Sequence, residues 1–168
     1  MNDQNLDEAQ RWLQQARHDL DVARWNAKGK FWSDACFMAQ QASEKALKAF
    51  CYAQGERHVV GHALLVLVRR CAKYDSRFEG VEPLCKQLDK YYVITRYPNG
   101  LPGLIPADYF DEDEADESLK AADAILLHVD QALAQTRPSG AHLEASCPQY
   151  EDELGKEQRP SEDVSSDT

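Results

Sequence analysis

The sequence predicts an all-α protein, an up-and-down bundle of four to five helices with a disordered acidic C-terminal tail. Three observations predict this fold. Apolar residues recur at helical spacing from the start of the chain, no convincing strand pattern appears, and beyond Pro138 the chain is rich in Ser, Pro and acidic residues. The length of 168 residues suits one folded domain, predicted over residues 5–136, with the tail over residues 137–168.

The first two predicted helices are long and should lie antiparallel, because only a short connection joins them. The first ends at the turn Asn26–Gly29. The second begins near Ser33 and Asp34, both suited to cap a helix, and continues to Gly55. The apolar stripe of the first helix comprises Ala9, Trp12, Leu13, Ala16, Leu20 and Ala23.

Three further helices are predicted after this pair. A short third helix follows Gly61 and His62, and a fourth runs from about Val81 to Val93. Residues 97–106 contain three prolines and two glycines, which interrupt helical structure. The fifth helix opens in the acidic segment 111–114, which suits the positive end of a helix dipole.

The formal net charge of −10 argues against a broad DNA-binding surface. The charge is unevenly distributed: residues 1–110 carry +2, whereas residues 111–137 and 138–168 carry −6 each. The first two thirds of the chain are therefore compatible with one small phosphate site. No apolar run reaches the length of a membrane span and the N-terminus does not resemble a signal peptide, so we expect a soluble, cytoplasmic protein without membrane partners.

The cysteines and histidines do not predict a metal site or a cofactor. Cys36, Cys51, Cys71, Cys85 and Cys147 show no CxxC spacing, so we expect four small core residues and one tail thiol. The pair His58 and His62 has helical metal-ligand spacing but lacks a third ligand.

The aromatic residues divide into two sets. A helical stripe predicts that Trp12, Phe37 and Phe50 pack in the core. The second set, Trp25, Phe31 and Trp32, lies at the first turn and either exposes an apolar patch fit for a partner or closes the end of the bundle.

Four sequence segments carry a family resemblance. They are Gln40-Gln-Ala-Ser-Glu-Lys-Ala-Leu-Lys48, Gly61-His-Ala-Leu64, Tyr91-Tyr-Val-Ile-Thr-Arg-Tyr-Pro98, and Ala115 with Leu119-Lys-Ala-Ala-Asp123. In this order and spacing, over residues 7–134, the chain resembles the HEPN family, whose name denotes higher-eukaryote and prokaryote nucleotide-binding domains. The resemblance implies a helical bundle that often forms a homodimer. Such domains stand beside minimal nucleotidyltransferases in prokaryotes, in toxin–antitoxin-like pairs, or form the C-terminus of sacsin in vertebrates.

The residues themselves indicate a nucleotide-binding or RNA-phosphate-binding site within these segments. Lys45 and Lys48 lie three residues apart on one face of the second helix. Arg96 precedes a Pro-Gly loop, and the adjacent Tyr92 and Tyr97 are suited to stack on a base while the guanidinium contacts a phosphate.

A structural interpretation of the same cations competes with this one. The lysines then form a solvated face, with Glu44 and Lys48 as an i,i+4 pair. Arg96 either caps the preceding helix or pairs with acids near Asp111.

The leading hypothesis is therefore a non-catalytic binding and dimerisation module, with two alternatives. Catalytic members of the wider family resemble metal-independent RNases with an Arg-x(4–6)-His motif. Arg57 and His62 fit that spacing, as do Arg11 and His18, but no His follows Arg96 where the later segment would need one. The second alternative is a purely structural dimerisation domain.

Overall fold

The computed structural model describes residues 3–136, and within them all regular structure is helical. Five helices span two turns or more: α1 (Asp3–Lys28), α2 (Trp32–Ala53), α3 (Leu64–Ala72), α4 (Glu82–Asp89) and α7 (Glu112–Thr136). Two single turns, α5 (Tyr91–Ile94) and α6 (Pro106–Tyr109), and two 3-10 turns, Ser76–Val81 and Pro98–Gly100, connect them. The predicted all-α bundle is confirmed, and the predicted tail lies outside the described residues.

Helix α2 is the central element of the bundle. It packs against α1 and α7 along its length and also contacts α3, α4 and α5. Five fully buried alanines allow these neighbours to approach closely: Ala35, Ala39, Ala42, Ala46 and Ala49. Because the helix is surrounded, its polar side chains Gln40, Glu44 and Lys48 are buried as well and need partners inside the protein.

The turn between α1 and α2 is closed by the backbone rather than by a side-chain cap. The Phe31 amide donates to the Asn26 carbonyl over 2.9 Å, and no side chain caps α2, which begins at Trp32. The expectation that Ser33 or Asp34 caps this helix is therefore wrong, because both residues lie inside its first turn.

The aromatic residues at this turn are largely exposed. Trp25 is 73% exposed and Phe31 is 62% exposed, whereas Trp32 is partly buried against the core. Of the two alternatives for this set, the exposed apolar patch therefore describes Trp25 and Phe31.

The predicted fourth helix is divided in two, with α4 ending at Asp89 and α5 beginning at Tyr91. The Asp89 carboxylate accepts hydrogen bonds from the amides of Leu64 and Leu65, over 2.5 and 3.0 Å. It thus caps the N-terminus of α3, where helix amides lack internal partners. The acidic start of the last helix is confirmed, since the Asp111 carboxylate accepts from the Glu114 amide over 3.0 Å.

The core contains the residues that the sequence predicts, with two exceptions in the aromatic set. Phe50 is fully buried, but Trp12 and Phe37 are only partly buried. The four described cysteines are buried free thiols, as predicted, while Cys147 lies outside the described residues. Burial raises the pKa of Cys36 to about 11 and that of Cys85 to about 12. None of the helices between residues 3 and 136 has the length and apolarity to cross a bilayer.

His128 on α7 is a site where acid should weaken the fold. Its ring packs against Phe78 in a T-shaped arrangement at a centroid distance of 4.7 Å, and its buried Nε2 has no hydrogen-bond partner among residues 3–136. Burial lowers the pKa of His128, and the nearby Arg77 adds to this while Asp75 opposes it. The unfolded chain therefore binds the proton more readily than the folded protein does.

We predict that stability is retained above the ordinary His pKa of 6.5 and lost as the pH falls below it. Urea denaturation at about pH 7.5 and about pH 5.5 measures this loss as a fall in the free energy of unfolding. The fall should be smaller in His128→Gln than in the wild type. The exposed His18 supplies the control, because His18→Gln should behave like the wild type. The same fall in His128→Gln as in the wild type would contradict the prediction.

Candidate functional site

Glu44 is a buried carboxylate on α2 that is shared by three side chains: Lys48, His62 and Gln41, whose Nε2 donates to Glu44 Oε2 over 3.3 Å. Lys48 Nζ donates to Glu44 Oε1 over 2.8 Å, and His62 Nδ1 lies 3.2 Å from the same oxygen. The side chains of Lys48 and Glu44 are only 7% and 5% exposed, and the ammonium lies over the Trp12 ring at 5.4 Å. Lys48 therefore forms the i,i+4 pair considered above, but the pair is buried rather than part of a solvated face.

Lys45 belongs to a neighbouring network that joins α2 to α1. Its Nζ lies 2.6 Å from Asp19 Oδ2, and the Asp19 side chain is 5% exposed. Gln15 donates to the other Asp19 oxygen over 2.7 Å. Both candidate lysines are thus paired with buried carboxylates, and each connects α2 to α1, through Asp19 or through Trp12.

His62 is held at the surface by contacts from α2 and α5. Gly61 adopts a φ of +98°, which a residue with a side chain rarely adopts, and this turns the chain at the start of α3. Gln40 Nε2 then donates to the His62 carbonyl over 3.1 Å, and the His62 ring stacks on Tyr92 at 4.8 Å with 13° between the planes. The side chain is 57% exposed, so a ligand can reach the imidazole that Glu44 orients.

Arg96 follows α5 and rests on three aromatic rings. Its Cζ lies 4.5 Å from the centroid of Phe37, 4.7 Å from Tyr92 and 5.2 Å from Tyr97. Its Nε and Nη2 donate to the Tyr92 carbonyl over 2.9 and 2.6 Å, so Arg96 caps the preceding turn, one of the two structural alternatives. Within residues 3–136, Arg96 forms no ion pair, and its Nη1 donates no hydrogen bond. Nη1 is therefore a charged donor that remains available to a ligand.

These residues form one continuous row of contacts. The row runs from Arg96 through Tyr92 and His62 to Glu44 and Lys48. Because the Arg96 guanidinium and the His62 imidazole both contact the Tyr92 ring, they lie no farther apart than the sum of those two distances. We call these five residues, with Phe37 and Tyr97, the Arg96 cluster.

The structure thus joins most of the predicted site residues and adds others. Lys48, Tyr92, Arg96 and Tyr97 belong to the Arg96 cluster, whereas Lys45 lies in the Asp19 network beside it. Sequence reasoning did not place three further residues in the site, although a signal was available for them and Glu44 was named as the i,i+4 partner of Lys48. They occupy one face of α2 at helical spacing, and they are Phe37, Gln40 and Glu44.

The two Arg–His motifs differ in what surrounds the arginine. Arg11 pairs with Glu8 over 2.6 Å and His18 is exposed, so this pair lies on the surface of α1. Arg57 is exposed, and its side chain forms no ion pair or hydrogen bond with the part of the chain that the structure describes. Between residues 3 and 136, no group of three or more His, Cys, Asp or Glu side chains is arranged to hold a metal ion.

Comparison with known proteins gives consistent results. Residues 9–132 match the family model described as the HEPN domain. The chain is similar to "Putative toxin MJ1304" of Methanocaldococcus jannaschii, at 29% identity over 130 residues that cover 73% of this chain and 86% of the relative. It is also similar to sacsin of Homo sapiens, at 28% identity over 132 residues, which are 76% of this chain and 3% of sacsin. The crystal structure of TT1696 from Thermus thermophilus matches with a TM-score of 0.70 and 38% identity, covering 74% of this chain and 97% of TT1696.

The buried ion pair yields a stability prediction. Glu44→Gln should lower the free energy of unfolding by about 3 kcal/mol, because it leaves the Lys48 ammonium buried without its carboxylate. Glu44→Gln/Lys48→Met should recover most of this loss, since it removes both charges. Urea denaturation measures the three free energies.

An exposed ion pair serves as the control for this prediction. Arg24 Nη2 lies 2.5 Å from Asp123 Oδ1, with about half of each side chain exposed. Arg24→Ala should cost less than about 1 kcal/mol. If Glu44→Gln costs no more than Arg24→Ala, the buried pair does not hold the site together.

Proposed function

The chain belongs to the HEPN family, and on that basis we propose that it is a non-catalytic module that binds a nucleotide or RNA phosphate at Arg96. One observation carries the proposal: the Arg96 guanidinium is fixed by three rings and by the Tyr92 carbonyl, yet no carboxylate among the described residues neutralises it. Arginine in such a setting suits a phosphate, because its planar donors match phosphate oxygens.

The residues of the candidate site have different roles in this proposal. Arg96 contacts the phosphate through Nη1, and the half-exposed Tyr97 ring offers a face on which a base stacks. Tyr92 supports both Arg96 and His62. Lys48 acts as a positioning residue through Glu44, and Lys45 does the same through Asp19.

Assembly is the second part of the proposal. We propose a homodimer that acts in the cytoplasm and, if the source is prokaryotic, pairs with a minimal nucleotidyltransferase in a toxin–antitoxin-like system. The name of the relative from M. jannaschii supports a toxin-like role. The exposed Trp25 and Phe31 support an interface, because apolar patches of this kind commonly mark protein contacts.

Substitution of Arg96 tests the binding site. Arg96→Ala should weaken nucleotide affinity by about 1–3 kcal/mol, because it removes a charge-assisted contact. Isothermal titration calorimetry with each of the four ribonucleoside triphosphates measures the change.

The exposed Arg17 provides a matched control, since Arg17→Ala also removes one guanidinium but lies on α1 where it pairs with Asp130 of α7, outside the cluster. Its affinity should equal that of the wild type. The proposed role of Arg96 is refuted by an unchanged affinity in Arg96→Ala, and binding of a mononucleotide is refuted by a wild type that binds none of the four nucleotides.

A specific observation favours endoribonuclease activity as a second candidate. The buried Glu44 carboxylate faces His62 Nδ1 while most of the imidazole side chain is exposed, and a carboxylate-oriented imidazole is suited to act as a general base. Arg57, which has no side-chain ion pair within the described range, would supply the cation for the developing phosphorane charge.

The two candidates differ in a cleavage assay. The binding-module proposal predicts no cleavage of a labelled RNA in EDTA, whereas the second candidate predicts cleavage that is lost in His62→Ala. Asp19→Asn tests for an indirect effect, because Asp19 holds Lys45 beside the site without contacting His62. Metal-independent cleavage that Asp19→Asn retains and His62→Ala loses would replace the binding module with the nuclease.

A further inference from the structure

A second cluster of cations lies on α3, outside the Arg96 cluster. It surrounds an open groove of about 700 Å³, within the size range of ligand pockets. The groove is lined by one acidic residue, three cations and two exposed or partly exposed apolar groups: Glu56, Arg69, Arg70, Lys73, Val66 and Tyr74. We call this the α3 groove.

The charges of the α3 groove leave an excess of cations. Arg70 pairs with Glu56 and also donates to the His58 carbonyl over 3.1 Å, so it serves to fix the wall of the groove. Lys73 has no ion pair within the part of the chain that the structure describes. Arg69 pairs with Glu82 of α4 but remains 62% exposed, so its outer face can still contact an anion.

The segment that joins α2 to α3 connects the groove to the Arg96 cluster. In the middle of this segment, the His58 carbonyl contacts Arg70 in the groove, and near its end the His62 ring stacks on Tyr92. The exposed Arg57 lies on this segment. The five residues 58–62 between these two contacts can span about 15–20 Å at most when extended, which is close to the length of four to six stacked nucleotides.

From this arrangement we propose that the α3 groove is a second phosphate subsite, and that the ligand is a single-stranded nucleic acid which runs from Arg96 past Arg57 to Lys73. The proposal rests on the proposed function and specifies its ligand as an oligonucleotide rather than a mononucleotide. Aromatic platforms lie at both ends, with Tyr97 beside Arg96 and the half-exposed Tyr74 in the groove. Cations that follow a backbone, combined with rings for the bases, are the features that single strands require.

The acids along this path do not oppose a strand. Glu44 is buried between Lys48 and His62, and Glu56 is paired with Arg70. Asp89 is engaged by the amides at the start of α3.

Oligonucleotide length separates the two subsites experimentally. The probes are uridine monophosphate, an octamer of uridine and an octamer of deoxythymidine, with affinities measured by fluorescence anisotropy competition. The wild type should bind the octamers at least about tenfold more tightly than the mononucleotide, with a steeper dependence on salt. Equal affinity for the two octamers identifies the shared phosphate backbone as the ligand, and tighter binding of the uridine octamer identifies RNA.

Arg69→Gln/Lys73→Gln tests the groove and retains Arg70, which holds its wall. The variant should lose most of the octamer advantage, and its salt slope should fall by about 1.4, while its affinity for the mononucleotide stays unchanged. The control Lys28→Gln/Lys120→Gln removes two exposed positive charges outside both clusters and should match the wild type. Circular dichroism melting verifies that both variants are folded.

The outcomes distinguish this inference from the proposed function. If the mononucleotide binds and Arg96→Ala weakens it, but the octamers bind no more tightly, the second subsite is refuted while the proposed function stands. The same conclusion follows if the groove variant binds the octamers like the wild type. If neither the mononucleotide nor either octamer binds, the proposed function fails and the inference fails with it.

Discussion

The contacts that the Glu44 carboxylate makes with Lys48 and His62 are the interactions on which both the core and the candidate site depend. Helix α2 is enclosed by its neighbours, so a lysine on its inner face must find an anion within the protein. Glu44 provides that anion for Lys48 and at the same time faces the imidazole of His62. The carboxylate that compensates the buried charge of Lys48 therefore also holds His62 at the start of α3. The His62 ring in turn stacks on Tyr92, and Tyr92 supports the Arg96 guanidinium.

The aromatic rings around Arg96 explain why an arginine suits this position. A guanidinium lies flat on a ring and still directs donors outward in its plane, whereas an ammonium is a compact and strongly hydrated charge. Contacts with three rings and a carbonyl restrict the side chain before any ligand arrives. Less conformational entropy then remains to be lost on binding, so the proposed contact with a phosphate would gain affinity from preorganisation.

Local patterns in the sequence predict the helices well but not the features that depend on distant partners. Apolar periodicity identifies α1, α2, α3 and α7, because each buries one continuous face. The break between α4 and α5 is not visible in that pattern, since it accompanies a cap that Asp89 provides to a different helix. Likewise, the i,i+4 spacing predicts that Glu44 and Lys48 pair, but their burial depends on Trp12 and the rest of α1. Capping by Arg96, by contrast, was one of the two structural alternatives that the sequence predicts, because its acceptor lies only four residues earlier.

The net charge of the chain is a poor guide to its local chemistry, because the effect of each charge depends on the partner that the fold brings to it. Many acids are engaged by specific partners: Asp19 by Lys45, Glu44 by Lys48, and Asp89 by helix amides. An acid whose charge is balanced by an adjacent cation contributes little to the field at a ligand, and exposed charges farther away than a Debye length of about 8 Å at physiological salt are largely screened. A phosphate would interact chiefly with cations that have no carboxylate partner. Arg96 is such a cation, because aromatic rings rather than an acid hold its guanidinium. An acidic protein can therefore present an anion site wherever its own acids are engaged elsewhere and an aromatic support leaves the cation free.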